Sequence, residues 1–69
     1  MTKYSRSELY AMRKKHGLTE AIGLTCSKLI EQMDNLAHTP ESQPNARSNL
    51  TKSIEFSERD LGRMLADLQ

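Results

Sequence analysis

A chain of 69 residues is long enough for one domain, residues 1–69, and too short for two. Hydrophobic residues make up only 36% of it, and a domain this small buries about 60% of the surface that its unfolded chain exposes. Such domains usually gain stability from disulfides, a metal or a second subunit. The single cysteine, Cys26, excludes an internal disulfide, so we expect self-association.

Cysteine content and hydropathy predict where the protein resides. One free thiol suits a reducing compartment, and no apolar run is as long as the core of a signal sequence or a membrane span. We therefore expect a cytoplasmic protein without a membrane partner.

The net charge of +1 hides an uneven distribution. The first 17 residues carry five basic side chains and one acidic side chain, whereas the remainder carries five basic and eight acidic ones. A basic N-terminal segment suits nucleic acid or an acidic protein surface. It is equally typical of a helix end, where cations complement the helix dipole.

The first predicted helix covers about residues 5–16. Ser5 and Glu8 have the spacing of a capping box, in which each side chain accepts a hydrogen bond from the other residue's backbone N–H. Gly17 suits the position after the last helical residue, because glycine adopts positive φ without a steric penalty. Thr19 suits the N-cap of a second helix. The sequence leaves open whether Gly17 ends the first helix or only kinks a longer one.

A polar stretch over residues 38–43 separates the second predicted helix, 19–37, from the third, 44–68. Its composition, which includes a proline, favours a turn. Pro44 suits the first turn of a helix, where its missing N–H has no helical partner to lose. Gly62 lies inside the third helix and weakens it by about 1 kcal/mol relative to alanine.

Apolar residues recur at alternating intervals of four and three in both long helices, the pattern that packs helices side by side. Flanking apolar residues widen each stripe beyond the width that one neighbouring helix covers. The predicted core and dimer contacts are Ile22, Cys26, Leu29, Ile30, Met33, Leu36, Leu50, Ile54, Leu61, Met64, Leu65 and Leu68.

These patterns predict an all-α fold. The short connection favours antiparallel neighbours, so the two long helices form a helical hairpin, preceded by a short N-terminal helix or a kinked first arm. We expect the first helix, with Leu9 and Met12 on one side, to cover Leu65 and Leu68. A second copy would bury the flanking Ile30 and Leu65, which predicts a homodimer that forms a helical bundle.

The sequence predicts no catalytic site, cofactor or metal ion. Cys26 lies in an apolar stripe, where a free cysteine behaves as a small hydrophobic residue, and His16 is about 15 Å away along a continuous helix. One cysteine and two distant histidines, His16 and His38, lack the ligand spacing of zinc sites. We expect a protein that is not an enzyme.

One face of the third predicted helix combines an aromatic ring with cations. Its members, spaced by four, three and four residues, are Lys52, Phe56, Arg59 and Arg63. Aromatic and arginine side chains dominate the energetics of interfaces, so this face is a candidate for partner binding. The alternative is that Phe56 packs beneath the first helix and the cations only face solvent.

A helix-turn-helix motif is an alternative interpretation. Residues 16–19 resemble its turn, with Ser27 and Lys28 on the following helix. That helix carries an apolar stripe, however, and a net charge of +1 is low for a protein whose affinity depends on neutralising phosphates. We favour a protein partner and keep a nucleic-acid-binding helical dimer or helix-turn-helix regulator as the alternative.

The length of the chain and three segments carry a resemblance to a known family. The segments are Ser5-Arg6-Ser7-Glu8-Leu9-Tyr10, Leu29-Ile30-Glu31-Gln32-Met33 and Arg59-Asp60-Leu61-Gly62-Arg63. Over essentially its whole length, the chain resembles the small quorum-sensing anti-activator proteins encoded by Pseudomonas phages.

The resemblance implies a helical dimer that acts in the cytoplasm of the host cell. It implies an inhibitor that binds the DNA-binding domain of a LuxR-type activator and blocks transcription, and that acts on further host proteins, such as a pilus-assembly ATPase. The residues alone are equally compatible with an anti-CRISPR-like inhibitor, an RNA-binding hairpin dimer or a structural oligomerisation module.

Overall fold

A computed structural model of the chain describes residues 3–68. These residues form three α-helices: α1 (Arg6–His16), α2 (Ala21–His38) and α3 (Pro44–Asp67). The described part contains no strand, which confirms the all-α class. The molecule is elongated, with extents of 41, 18 and 17 Å. None of the helices within residues 3–68 is both long enough and apolar enough to cross a membrane.

α1 begins and ends close to the predicted positions. Ser5 is the N-cap: its hydroxyl accepts a hydrogen bond from the Glu8 backbone N–H (3.2 Å), and the Glu8 carboxylate accepts one from the Ser5 N–H (3.1 Å). Both bonds of the predicted capping box are therefore present. Gly17 follows the last helical residue with a φ of +94°, a value that residues with side chains rarely adopt. Gly17 thus ends α1 and does not merely kink a longer helix.

The start of α2 differs from the prediction. α2 begins at Ala21 with Glu20 as its N-cap and no side-chain capping bond, so the prediction that Thr19 caps this helix is wrong. The cause lies in the turn after Gly17, whose carbonyl oxygen accepts a hydrogen bond from the Glu20 N–H (3.3 Å). Residues 18–20 reverse the chain before the helical hydrogen bonds begin.

α3 starts at Pro44, as predicted, and runs to Asp67. Arg47, in its first turn, holds the C-terminus of α2, because its guanidinium donates to the carbonyl oxygens of Leu36 (3.2 Å) and Thr39 (2.7 Å). The last carbonyl groups of a helix lack partners within that helix. This contact therefore stabilises the end of α2 and places the start of α3 beside it.

α2 is the central helix and packs against both α1 and α3. Side-chain contacts show that α1 runs antiparallel to it: Arg6 forms an ion pair with Asp34, and Arg13 donates to Ser27 Oγ (3.4 Å). The expectation that the first helix covers Leu68 is wrong, because α1 lies along α2 and Leu68 remains 62% exposed.

The core combines one residue of α1 with residues of both longer helices. The buried hydrophobic residues are Leu9, Ile22, Cys26, Leu29, Ile30, Ile54 and Leu61. Five further members of the predicted stripes are half-buried: Met33, Leu36, Leu50, Met64 and Leu65. The predicted core set lacked Leu9, which is fully buried.

Ile30 is buried within a single chain, with only 5% of its surface exposed. It lies on α2 three residues after Ser27 and four before Asp34, the two residues that contact α1. Residues at these spacings share one face of a helix, so α1 covers Ile30. The need to bury this residue therefore no longer favours a second copy of the chain.

The backbone of the turn before α2 approaches α2 closely at Gly23. A Cβ atom on this residue would lie 1.8 Å from the Gly17 carbonyl oxygen and 2.8 Å from its carbonyl carbon. Only glycine lets the backbone of the turn rest on α2 at this point. Gly62, in α3, differs: a Cβ atom there would lie 3.6 Å from the Tyr4 hydroxyl, an ordinary contact distance.

Alanine at these two glycines should change stability in opposite directions. Gly23→Ala should lower the free energy of unfolding by about 2–3 kcal/mol, because the added methyl group forces two backbone segments apart. Gly62→Ala should raise it by up to about 1 kcal/mol, because alanine favours the helix and the site has room. Urea denaturation followed by circular dichroism measures both changes. Similar effects of the two substitutions would contradict the close approach at Gly23.

Candidate partner-binding surface

The predicted basic and aromatic residues lie together on the outward side of α3, a surface called here the α3 face. It consists of Lys52, Phe56, Arg59 and Arg63, all of which are exposed. Each residue turns an α-helix by about 100°, so these side chains project away from Ile54 and Leu61, which are buried. The inward stripe of α3 thereby directs the α3 face toward solvent.

Phe56 does not pack beneath α1. That alternative required the first helix to cover α3, but α1 lies along α2 and Phe56 is 63% exposed. One exposed hydrophobic residue is common on protein surfaces and does not define a binding site. The distinguishing feature is the arrangement of Lys52 four residues before the ring and Arg59 three residues after it, since aromatic and arginine anchors cluster in interfaces.

Acidic neighbours reduce the positive charge of the α3 face. An acidic neighbour of Arg59 is Glu55, with which it lines a shallow hollow that also includes Lys3. An acidic neighbour of Arg63 is Asp67, in a second hollow. Within residues 3–68, neither guanidinium forms an ion pair. Both groups therefore retain the capacity to bind carboxylates of a partner.

Glu58 is a buried carboxylate at the edge of this surface, and its role was not predicted from the sequence. Its Oε2 accepts hydrogen bonds from the backbone N–H groups of Lys3 (2.5 Å) and Tyr4 (3.2 Å), and the residue is only 3% exposed. These bonds tie the segment before α1 to α3 and bring Lys3 beside Arg59. The available signal was the position of Glu58 four residues after Ile54, on the inward side, where an unpaired charge is costly.

Cys26 is poorly suited to nucleophilic catalysis. Its side chain is fully buried, and burial raises the pKa of the thiol, opposed in part by the charge of Arg13. A thiol with a raised pKa carries little thiolate near neutral pH. In the described part of the chain, no three histidine, cysteine, aspartate or glutamate side chains converge as metal ligands.

The α1–α2 pair does not have the geometry of a helix-turn-helix motif. The helices of that motif cross at about 90–120°, whereas α1 stays beside α2 from the turn at Gly23 to the ion pair at Asp34. Arg13 also donates to the Ser27 hydroxyl, on the helix that would read base edges. This arrangement does not present α2 as a recognition helix.

Comparisons of the chain with protein-family models, with curated proteins and with solved structures find no match. The resemblance to phage anti-activator proteins therefore supplies only a hypothesis about the partner. The geometry of the α3 face is an independent reason to expect protein binding.

Removal of the Glu58 charge should loosen the N-terminal segment. Glu58→Gln should lower the free energy of unfolding by about 1–2 kcal/mol, because a neutral amide oxygen accepts N–H bonds less strongly than a carboxylate. Glu55→Gln, the same change at an exposed neighbour, should alter it by less than about 0.5 kcal/mol. Denaturant titration compares the stability of the variants. Hydrogen exchange at the backbone amides of Lys3 and Tyr4 should accelerate in Glu58→Gln and not in Glu55→Gln. Equal stability of the two variants would contradict the conclusion that Glu58 holds the N-terminal segment on α3.

Proposed function

We propose that this protein is a small phage-type inhibitor that binds a host protein through the α3 face and blocks the surface that it occupies. The favoured partner is the DNA-binding domain of a LuxR-type activator of quorum sensing, so that binding blocks transcription. The observation that carries the proposal is the exposed ring of Phe56, which lies between Lys52 and Arg59 on the outward side of α3.

Burial of Phe56 by a partner is the main source of binding free energy in this proposal. Complete removal of a phenylalanine side chain from water contributes about 1.5–3 kcal/mol. Arg59 and Arg63 add planar guanidinium groups, which bind carboxylates through two parallel hydrogen bonds. The complementary partner surface is therefore an apolar pocket bordered by acidic residues.

α3 presents these side chains on a rigid support. The helix has 24 residues, and its inward side packs on α2 through Ile54 and Leu61. Arg47 joins one part of α3 to the end of α2, and Glu58 joins another part to the N-terminal segment. A preorganised face loses little conformational entropy on binding, which favours affinity.

The charge of the α3 face restricts how such an inhibitor acts. Surfaces that bind DNA are basic, and they repel another basic surface. The proposed inhibitor therefore does not imitate the charge of DNA. It binds an acidic, apolar surface of the DNA-binding domain and excludes DNA by its bulk.

A nucleic-acid ligand is the second candidate. The exposed cations of the α3 face favour it, and an exposed aromatic ring such as Phe56 can stack on a base. Salt dependence distinguishes the two ligands, because phosphate contacts weaken steeply as salt rises. Burial of Phe56 in an apolar pocket is much less sensitive to salt.

We further propose that two copies of the chain form a helical-hairpin dimer. α1 begins beside Asp34, so α1 does not extend over the end of the α2–α3 pair that is nearest the turn. Leu36 and Leu50 are half-buried in that region, and a second copy would complete their burial. A dimer would also present two α3 faces, which increases avidity for a dimeric partner.

Loss of the Phe56 and Arg59 side chains should strongly weaken binding to the partner. The double variant Phe56→Ala, Arg59→Ala should bind a purified LuxR-type DNA-binding domain about 100-fold more weakly, which corresponds to roughly 3 kcal/mol. Isothermal titration calorimetry at low and high salt measures the change. The matched control is Leu24→Ala with Lys28→Ala, the same classes of side chain on the exposed side of α2, and it should bind like the unmodified chain.

Circular dichroism and native mass spectrometry should show equal helicity and a dimeric mass for all three proteins. Unchanged binding by the Phe56 and Arg59 variant would show that the α3 face is not the contact. A monomeric mass for the unmodified chain at micromolar concentration would exclude the proposed dimer. Binding of duplex DNA or an RNA hairpin that disappears at high salt would favour the nucleic-acid alternative.

A further inference from the structure

A second surface, on α1 and the turn that follows it, combines cations with apolar side chains. A hollow of about 520 Å³ is lined there by Tyr10, Arg13, Lys14, Gly17 and Leu18. Tyr10 is 42% exposed and Leu18 is 63% exposed, so both contribute apolar surface that faces solvent. None of these residues belongs to the α3 face.

Arg13 is held in place at the edge of this hollow. Its guanidinium carbon lies 4.8 Å from the centre of the Tyr10 ring, and its Nη1 donates to Ser27 Oγ (3.4 Å). The ring is fixed in turn by Arg6, which lies 5.9 Å from the ring centre, donates to the tyrosine hydroxyl (3.4 Å) and forms an ion pair with Asp34. An arginine that is already ordered loses little entropy when it binds a carboxylate.

The turn brings an apolar residue to the same hollow. The φ of +94° at Gly17 lets the chain reverse, so that Leu18 lines the hollow together with Tyr10. Lys14, which is exposed, adds a second cation beside Arg13. The hollow therefore has aromatic and aliphatic walls with two positive charges at its edge.

We propose that this hollow binds an acidic segment of a partner protein, with one apolar side chain between Tyr10 and Leu18 and a carboxylate on Arg13 and Lys14. Charge complementarity selects this occupant, since Arg13 and Lys14 line the hollow and none of its described lining residues is acidic. The solvent-exposed apolar walls of Tyr10 and Leu18 supply contact area for the apolar side chain of that segment.

Nucleic acid fits the hollow less well. A base stacks over the whole face of an aromatic ring, and the Arg13 guanidinium carbon already lies 4.8 Å from the centre of the Tyr10 ring. An aliphatic side chain needs only the part of the ring that lines the hollow beside Leu18. Asp34 neutralises Arg6, which leaves few cations to follow a phosphate backbone.

The hollow and the α3 face are separate sites. The backbone of α1 lies beside that of α2, and Phe56 is exposed on the outward side of α3, so a segment bound at Arg13 leaves Phe56 free. The protein is thereby able to hold two partners, or two parts of one partner, at the same time.

An NMR titration of the isotope-labelled full chain with short synthetic peptides tests this inference. The probe is a peptide in which leucine is flanked by glutamate and aspartate, and the controls replace either its acidic residues with lysine or its leucine with serine. The acidic leucine peptide should shift the backbone amides of residues 10–18 in a saturable manner. The lysine peptide should cause no shifts, and the serine peptide should bind more weakly.

Two variants identify the residues involved. Arg13→Gln and Leu18→Ser should each weaken binding of the acidic leucine peptide by about tenfold or more. Lys52→Gln, which removes the same charge from the α3 face, should leave the affinity unchanged. The amide spectrum of each variant shows whether the fold is retained.

Several results would overturn the inference. They are the absence of saturable shifts, shifts that map only to α3, an equal loss of affinity in Lys52→Gln, and tighter binding of a single-stranded oligonucleotide to residues 10–18.

Discussion

The contact between Gly23 and the turn at Gly17 is the constraint on which the rest of the arrangement depends. The Gly17 carbonyl oxygen occupies the space that a Cβ atom would take on residue 23. The C-terminal end of α1, at the turn, therefore lies in contact with the start of α2. From that point α1 follows α2 back to Asp34, where Arg6 forms its ion pair. Leu9 completes the core, and the central helix is covered on two sides within one chain.

This placement of α1 decides which surfaces are free. With α1 on α2, Phe56 remains exposed on the outward side of α3. α1 itself presents a hollow in which Arg13 is stacked on Tyr10. Both surfaces join cations to apolar side chains, so both favour partners that combine acidic and apolar residues. Since the two surfaces lie on different helices, one protein of this size offers two distinct contact regions.

Sequence patterns predicted most of the local structure, apart from the N-cap of α2, and missed the placement of α1. The signals at Ser5 and Gly17 depend on neighbours within a few residues, and the periodicity of each long helix identified its inward side and hence the outward α3 face. The expected cover over Leu68 was inferred from the apolar side of the first helix, which does not specify its neighbour, whereas Gly23 directs α1 to α2. Glu58 was missed because its partners are backbone N–H groups 54 and 55 residues away. No local pattern encodes such a contact, and none names a partner.

The placement of α1 is tested most directly by nuclear Overhauser effects measured by NMR on the full chain. A Cβ position on Gly23 lies 3.5 Å from the Leu18 Cα atom, so an α proton of Gly23 should show an effect to the α proton of Leu18. The arrangement predicts that signal, together with contacts between the Arg13 and Ser27 side chains. Absence of the Gly23–Leu18 signal, accompanied by contacts between Leu9 and Leu68, would contradict it.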